Sequence, residues 1–155
     1  MSNTFYDSPH GLMNKNNFST AADQAILVSE CMKLEVFRRV VATKEYSTSA
    51  QSGSPVNSAG FTNAYKWENS NKLLGKCPGI IGCKTGITSA AGPCFAGYYE
   101  RNDIKIAIIL CHSKSLEQRW VEIQALVQWV LRIRNIQEQQ EEKKKTIAKL
   151  KETEL

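Results

Sequence analysis

The chain has 155 residues and a formal net charge of +5, with 42% hydrophobic and 23% charged residues. That length suits one domain able to bury roughly two thirds of its unfolded surface, and no apolar run approaches the ~18 residues that a bilayer span demands. Residues 135–155 hold five lysines (143, 144, 145, 149 and 151) against five glutamates (138, 141, 142, 152 and 154), so the positive excess is scattered through residues 1–134. With no basic stripe and no nucleic-acid motif, that excess reads as a solubility charge, and no nucleic-acid partner is expected.

Residues 1–18 read as a loop, punctuated by Pro9, Gly11 and several asparagines that tolerate turn conformations. The opening MSNTFYDSPHG has neither a basic start nor an apolar core, so no signal peptide is read in it. Thr20 to Asp23 has the T-x-x-D form of a helix start, and Ala25, Ile26, Val28 and Met32 continue it as a helix over about 20–32. Leu34, Phe37, Val40 and Val41 trace a second helix ending near Thr43. Neither helix carries paired inward charges, and both are expected to serve packing.

Between Lys44 and Gly60 the composition turns to Ser, Thr, Gln, Gly and Pro, which allows two strands joined by a flexible hairpin; residues 61–67 then alternate weakly up to Trp67. The serines here have no lysine or histidine neighbour and read as loop formers. Gly79 to Gly92, GIIGCKTGITSAAG, is a strand that presents a cation, a hydroxyl and a glycine at Lys84, Thr85 and Gly86. A strand glycine marks close approach by a backbone or ligand, and a lysine beside it supplies a point charge suited to a carboxylate or phosphate.

Pro93–Glu100 and Ile104–Cys111 are two apolar runs separated by Arg101-Asn102-Asp103, hence an antiparallel hairpin, with the 79–87 strand alongside as the first of three. Both faces of Ile104–Cys111 are apolar, which predicts a central strand. Ser115 and Gln118 frame a helix start, and Trp120, Ile123, Val127, Val130 and Leu131 trace a stripe to about Arg134 that should lie on the sheet. Residues 135–155 are rich in helix formers and charge; Ile136, Ile147 and Leu150 are too few for a coiled-coil seam, so a solvated helical tail is expected, separate from a domain at 1–134.

Cysteines stand at 31, 77, 83, 94 and 111. An odd count without C-x-x-C or histidine at metal-ligand spacing predicts neither a disulfide framework nor a zinc site, and no cofactor is expected. Cys31, Cys94 and Cys111 read as small hydrophobes, which favours a reducing compartment. Cys83 precedes Lys84, yet without a base beside it a structural role is expected.

Four segments stand in a definite order: Ser8-Pro9-His10-Gly11-Leu12, Asn17-Phe18-Ser19-Thr20-Ala21-Ala22-Asp23, Tyr65-Lys66-Trp67-Glu68-Asn69-Ser70-Asn71-Lys72-Leu73-Leu74, and Gly82-Cys83-Lys84-Thr85-Gly86-Ile87-Thr88. Together they resemble the later part of the penicillin-sensitive D-alanyl-D-alanine carboxypeptidases, serine enzymes of the β-lactamase/transpeptidase-like fold, over residues 1 to about 132. The resemblance implies an α+β fold, here a partial domain: an antiparallel sheet flanked by helices, with the helical C-terminal extension added. It implies electrostatic contact near the reacting centre for Lys84, a hydrogen bond to the substrate's terminal carboxylate for Thr85, close approach at Gly86, and half of an oxyanion hole at the N–H of Ile87. His10 then belongs to a structural loop beside the site.

The family's other motifs do not occur. No serine has lysine three positions later, and none has asparagine two positions later; Ser54-Pro-Val-Asn57 is one residue too long and Asn69-Ser70-Asn71 lacks the leading serine. Neither the β-rich second domain nor the amphipathic anchor common in the family is read in these residues. Two expectations result. The chain is part of a carboxypeptidase, inactive as it stands, that receives a peptide or β-lactam carboxylate at the Lys84 strand once an N-terminal part supplies the nucleophile; alternatively it is a non-catalytic scaffold or assembly subunit. Either way, something must cover the incomplete sheet.

Overall fold

Thr20 begins the first helix: its Oγ1 accepts the N–H of Asp23 at 3.1 Å, satisfying one of the donors that a helix start leaves free. In the computed structural model, which describes residues 1–12, 14–51 and 62–153, α1 (Ala21–Cys31) is followed by α2 (Glu35–Ala42). Strands β1 (Glu45–Gln51), β2 (Thr62–Glu68), β3 (Ile80–Thr88), β4 (Gly92–Arg101) and β5 (Ile104–Leu110) come next, and α3 (Leu116–Thr153) ends the order. No helix among the described residues is long and apolar enough to cross a membrane.

β3, β4 and β5 form one antiparallel sheet in that order. Asn102 and Asp103 join β4 to β5 with φ of 50° and 61°, the two left-handed residues that a tight hairpin with the right twist needs. The expectation that Ile104–Cys111 is central is corrected: among the described residues β5 is an edge strand, and β4 is the middle one. Its two apolar faces have another cause. α1 packs on one face of β5 and α3 on the other, so a strand covered from both sides looks central without being so.

The core on the α3 side joins Leu73, Ile80, Phe95, Tyr99, Ile108, Ile123 and Val127; Phe95 and Ile123 are its fully buried side chains. Phe95 meets Trp120 edge-on, with ring centroids 6.0 Å apart. Gly97 is required by this packing, since a Cβ there would lie 2.1 Å from the Phe95 ring. On the opposite face Val28 of α1 and Met32, which caps that helix, pack on Tyr98, with Phe37 and Val41 of α2 around them. Arg38 of α2 ties the helix to β4 through Glu100 at 2.7 Å.

α3 starts at the expected cap, where Ser115 Oγ accepts the N–H of Gln118 at 3.0 Å. The helix then passes residue 134 unbroken; beyond Ile133 the described side chains are exposed. β1 and β2 make a separate two-stranded ribbon whose residues are all exposed. Its rings stack on one another, Tyr46 on Trp67 at 6.1 Å and Tyr65 on Trp67 at 5.5 Å. The turn of this expected hairpin, residues 52–61, lies outside the described residues.

Phe95→Ala is expected to cost about 3–5 kcal/mol, because the ring leaves a void between β4 and α3 that neither element can close. Urea unfolding checks this, and a cost under about 1 kcal/mol would contradict the packing described.

Candidate functional site

The expected site residues stand together on β3, an edge of the sheet. On one side Lys84, Thr85, Gly86 and Ile87 pair with Ala96, Phe95, Cys94 and Pro93 of β4. The other side has no strand partner among the described residues. Lys84 is exposed and its Nζ donates to the carbonyl of Thr85. Thr85 Oγ1 lies 2.7 Å from Ser70 Oγ. Around Gly86 the space is open: a Cβ built there would meet nothing within 4 Å. Ile87 is 59% exposed.

Two further parts hold this edge in place. The first is the Trp67–Leu74 segment, whose two asparagines Asn69 and Asn71 bond backbone. Asn69 Nδ2 donates to the carbonyls of Val41 (3.2 Å) and Thr43 (3.0 Å), and Asn69 Oδ1 accepts the N–H of Asn71 at 3.0 Å. Asn71, itself buried, accepts the N–H of Leu73 at 3.0 Å. These bonds fasten the end of α2 to the turn that carries Ser70 up to Thr85.

The second is Arg119, which sequence reasoning passed over. It lies in the first turn of α3, 6% exposed, with its guanidinium 4.4 Å over the Trp120 ring. Its Nη1 donates to the carbonyls of Cys94 (3.0 Å) and Gly86 (3.3 Å), bridging β4 and β3 directly behind the edge. Burial pushes the group below its ordinary pKa, although an arginine stays charged at any physiological pH. In the sequence it is one of several cations on a helix; the available signal was an Arg-Trp pair in the first turn of a helix expected to face the sheet.

A cleft of about 840 Å³ opens at the end of β3, between Thr88, Ala90 and Ala91 and the N-terminal loop, which contributes Tyr6, Pro9 and Leu12. The loop is anchored at both ends. Phe5 and Phe18 exchange backbone hydrogen bonds of 3.0 and 3.1 Å and stack at 6.2 Å. Asp23 Oδ2 accepts from Thr4 Oγ1 at 2.7 Å and from the N–H of Asn3 at 2.8 Å. His10 Nδ1 accepts the N–H of Leu12 at 3.0 Å, so the ring shapes its own loop, as expected of a structural residue. His112 Nδ1 lies 3.1 Å from the carbonyl of Ala91, a contact that places the proton on Nδ1.

Cys83 is held away from nucleophilic chemistry. Burial, followed by the nearby Cys31, pushes its thiol up to about 11, and it donates to Met32 Sδ at 3.7 Å. Ser54 and Asn57, the near miss to S-x-N, lie outside the described residues.

The family model for D-alanyl-D-alanine carboxypeptidase matches residues 1–115. The chain belongs to that family. It is 37% identical over 94 residues to a D-alanyl-D-alanine carboxypeptidase of Streptomyces sp. (strain K15), covering 59% of this chain and 30% of the relative. With D-alanyl-D-alanine carboxypeptidase DacA of Haemophilus influenzae it shares 30% identity over 132 residues, 83% of this chain and 30% of the relative. Among solved structures, a variant of the Streptomyces K15 DD-transpeptidase superposes with a TM-score of 0.73 at 29% identity, covering 81% of this chain and 47% of that one. Penicillin-binding protein D2 of Listeria monocytogenes, in its cefotaxime-bound form, superposes with a TM-score of 0.66 at 27% identity, again over 81% and 47%. The chain thus spans about 30% of the length of the curated relatives it matches, and the family's α+β fold is present as a part.

Two measurements test this framework. Arg119→Met keeps the aliphatic volume but removes the guanidinium that the carbonyls of Gly86 and Cys94 share; a loss of about 1–3 kcal/mol is expected, with faster hydrogen exchange at β3 than at β5. Asp23 has a pH signature. Its bonds from Thr4, then from Asn3, hold the carboxyl below the usual carboxylate range. A depressed pKa gives stability that is present above the ordinary value of about 4 and lost as pH falls through the folded value. In a titration from neutral to strongly acid solution, the Asn3 amide should lose its hydrogen-bonded NMR shift only below about pH 4, and Asp23→Ala should lack that shift throughout.

Proposed function

We propose that this chain supplies the substrate-gripping strand of a serine-type D-alanyl-D-alanine carboxypeptidase centre, and that alone it does not cleave. The observation that carries the reading is the free, open edge of β3, where Lys84, Thr85, Gly86 and Ile87 follow one another with empty space over Gly86. An extended peptide ending in D-alanine can lie against such an edge. Lys84 then supplies positive charge near the reacting carbonyl, the Thr85 hydroxyl donates to the terminal carboxylate, and Gly86 lets the backbones approach. The N–H of Ile87 serves as one of two oxyanion donors.

In the reaction of the family, a serine attacks the carbonyl between the two D-alanines. The tetrahedral oxyanion collapses, the terminal D-alanine leaves, and water hydrolyses the acyl-enzyme. A rigid strand N–H aimed at that oxyanion is worth on the order of 3 kcal/mol. The serine of S-x-x-K is not among these 155 residues, and loss of the nucleophile in comparable enzymes costs about a millionfold. The grip remains and the attack does not.

A second reading, the non-catalytic scaffold, draws on the outer edge of β5, which has no strand partner among the described residues. Both readings require a cover for that edge, from the same protein or from another.

The chain alone should take up no fluorescent penicillin. Joined to an N-terminal segment that carries the family's S-x-x-K nucleophile, and folded by circular dichroism, it should label, with Lys84→Ala slowing acylation by about a hundredfold or more. Labelling of a serine in the isolated chain overturns the reading, as does a folded fusion indifferent to Lys84→Ala.

A further inference from the structure

The cysteines, read from the sequence as small hydrophobes, are not alike in their surroundings. Cys111 is exposed, directly after β5, and Cys94 on β4 is part-exposed. The register brings them together. Glu100 spends its N–H on Gly79, on the β3 side, whereas Pro93 accepts from Ser113, on the β5 side. Odd-numbered β4 residues therefore bond β5, and even-numbered ones stand at its non-hydrogen-bonded positions, where facing Cα atoms are about 4.5 Å apart.

The last registered pair is Phe95 with Leu110. One step on, Cys94 faces Cys111, and His112, left-handed with φ 56°, is the extra residue of a bulge before Ser113 meets Pro93. The N–H of His112 donates to Cys94 Sγ at 3.5 Å, so the sulfur of Cys94 rests against the backbone that carries Cys111. The Cys111 thiol, raised mainly by burial, is raised further by that of Cys94. A Cα separation near 4.5 Å falls within the disulfide range.

We propose that Cys94 and Cys111 form a reversible cross-strand disulfide, a modification site that peroxide closes. The exposed Cys111 reacts first: its thiolate attacks one peroxide oxygen, the O–O bond breaks, and sulfenic acid and water result. The Cys94 thiolate then attacks that sulfur, the S–O bond breaks, and a second water leaves. Two thiols give up two protons and two electrons, and the peroxide is reduced to two waters. Cys83 is not a competing site, because its thiol is engaged with Met32 inside the core.

The bond would act on the candidate site from behind. Cys94 is the partner of Gly86 across β3 and β4, and both carbonyls rest on Arg119. Closing the link fastens the middle strand to the exit of β5 at that level. The proposal rests on register and sulfur placement alone and does not depend on the carboxylate-binding reading.

The test uses the full reduced chain, treated with dilute hydrogen peroxide and quenched with catalase. Thiols titrated under denaturing conditions should fall from five to three and return with dithiothreitol. Peptide mapping without reduction should join the Cys94 and Cys111 peptides, and the oxidised chain should unfold at a higher temperature. Cys111→Ser should keep all its remaining thiols at the same dose, Cys94→Ser should lose only the Cys111 thiol, as sulfenic acid with no joined peptides, and Cys31→Ser should still lose two; circular dichroism confirms that each variant is folded. Five persistent thiols, a link involving Cys31, Cys77 or Cys83, a crosslink between chains, or sulfinic acid at Cys111 overturns the proposal.

Discussion

The sheet depends on the ring of Phe95 lying over Gly97. Any side chain at position 97 would strike that ring and, at 2.9 Å, the carbonyl of Gly82 on β3. With the ring in place, β4 becomes a flat middle strand against which Ile123 and Trp120 of α3 can close. The docking of Trp120 fixes the first turn of α3. Arg119 is the preceding residue, so the same contact aims its guanidinium at the carbonyls behind β3. A buried hydrophobic contact thereby determines where the candidate site's backbone stands. Burying this cation is tolerable because it donates to two carbonyls and covers a ring face.

The far side of the sheet is arranged by charge and amide groups as much as by burial. Glu100, held below the usual carboxylate range by Arg38 and then by Lys105, tethers α2 to β4. α2 in turn hands the chain to the ribbon of β1 and β2, and Asn69 at the ribbon's exit caps the carbonyls at the end of α2. The Trp67–Leu74 segment is recognisable by its spacing. Its physical work is to return the chain from an exposed ribbon to the core at Leu73 and Leu74, leaving Ser70 beside Thr85.

Much of this was legible in the residues. Thr20 and Ser115 announce helix starts through side chains that can accept backbone N–H groups, and both do. The Asn102-Asp103 turn and the runs beside it specify the hairpin, and the Lys84 strand lies next to it in the expected antiparallel sense. The misreadings share a cause: periodicity reports which faces are covered, and says nothing of what lies at a strand's edge. β5 is apolar on both faces because helices cover both, and so an edge strand read as a central one. Cys111 continued an apolar run and read as core, but the structure leaves it exposed just past the strand. Beyond the Arg119-Trp120 pair, little in the sequence marks Arg119, because its partners are main-chain carbonyls distant in sequence, and a carbonyl has no residue type.

The two edges of the sheet differ in chemistry, and that difference bears on what each can receive. At β3 the exposed residues include a lysine and a glycine beside a threonine hydroxyl, with open space over the glycine. Charge and the lack of a side chain at position 86 disfavour pairing with an arbitrary apolar strand, while an extended ligand with an acid end meets complementary groups. At β5 the side chains are Ile104, Ile106, Ile108 and Leu110 on one face and Ala107 and Ile109 on the other, with Lys105 as the one charge in the strand. That edge has little to deter another strand, and adding one would extend both packed faces at once. The chemistry of the first edge suits a selective ligand, and that of the second suits a structural strand. The division holds for a part of a larger enzyme as it does for a scaffold, because it follows from the side chains of the edges and not from the rest of the protein.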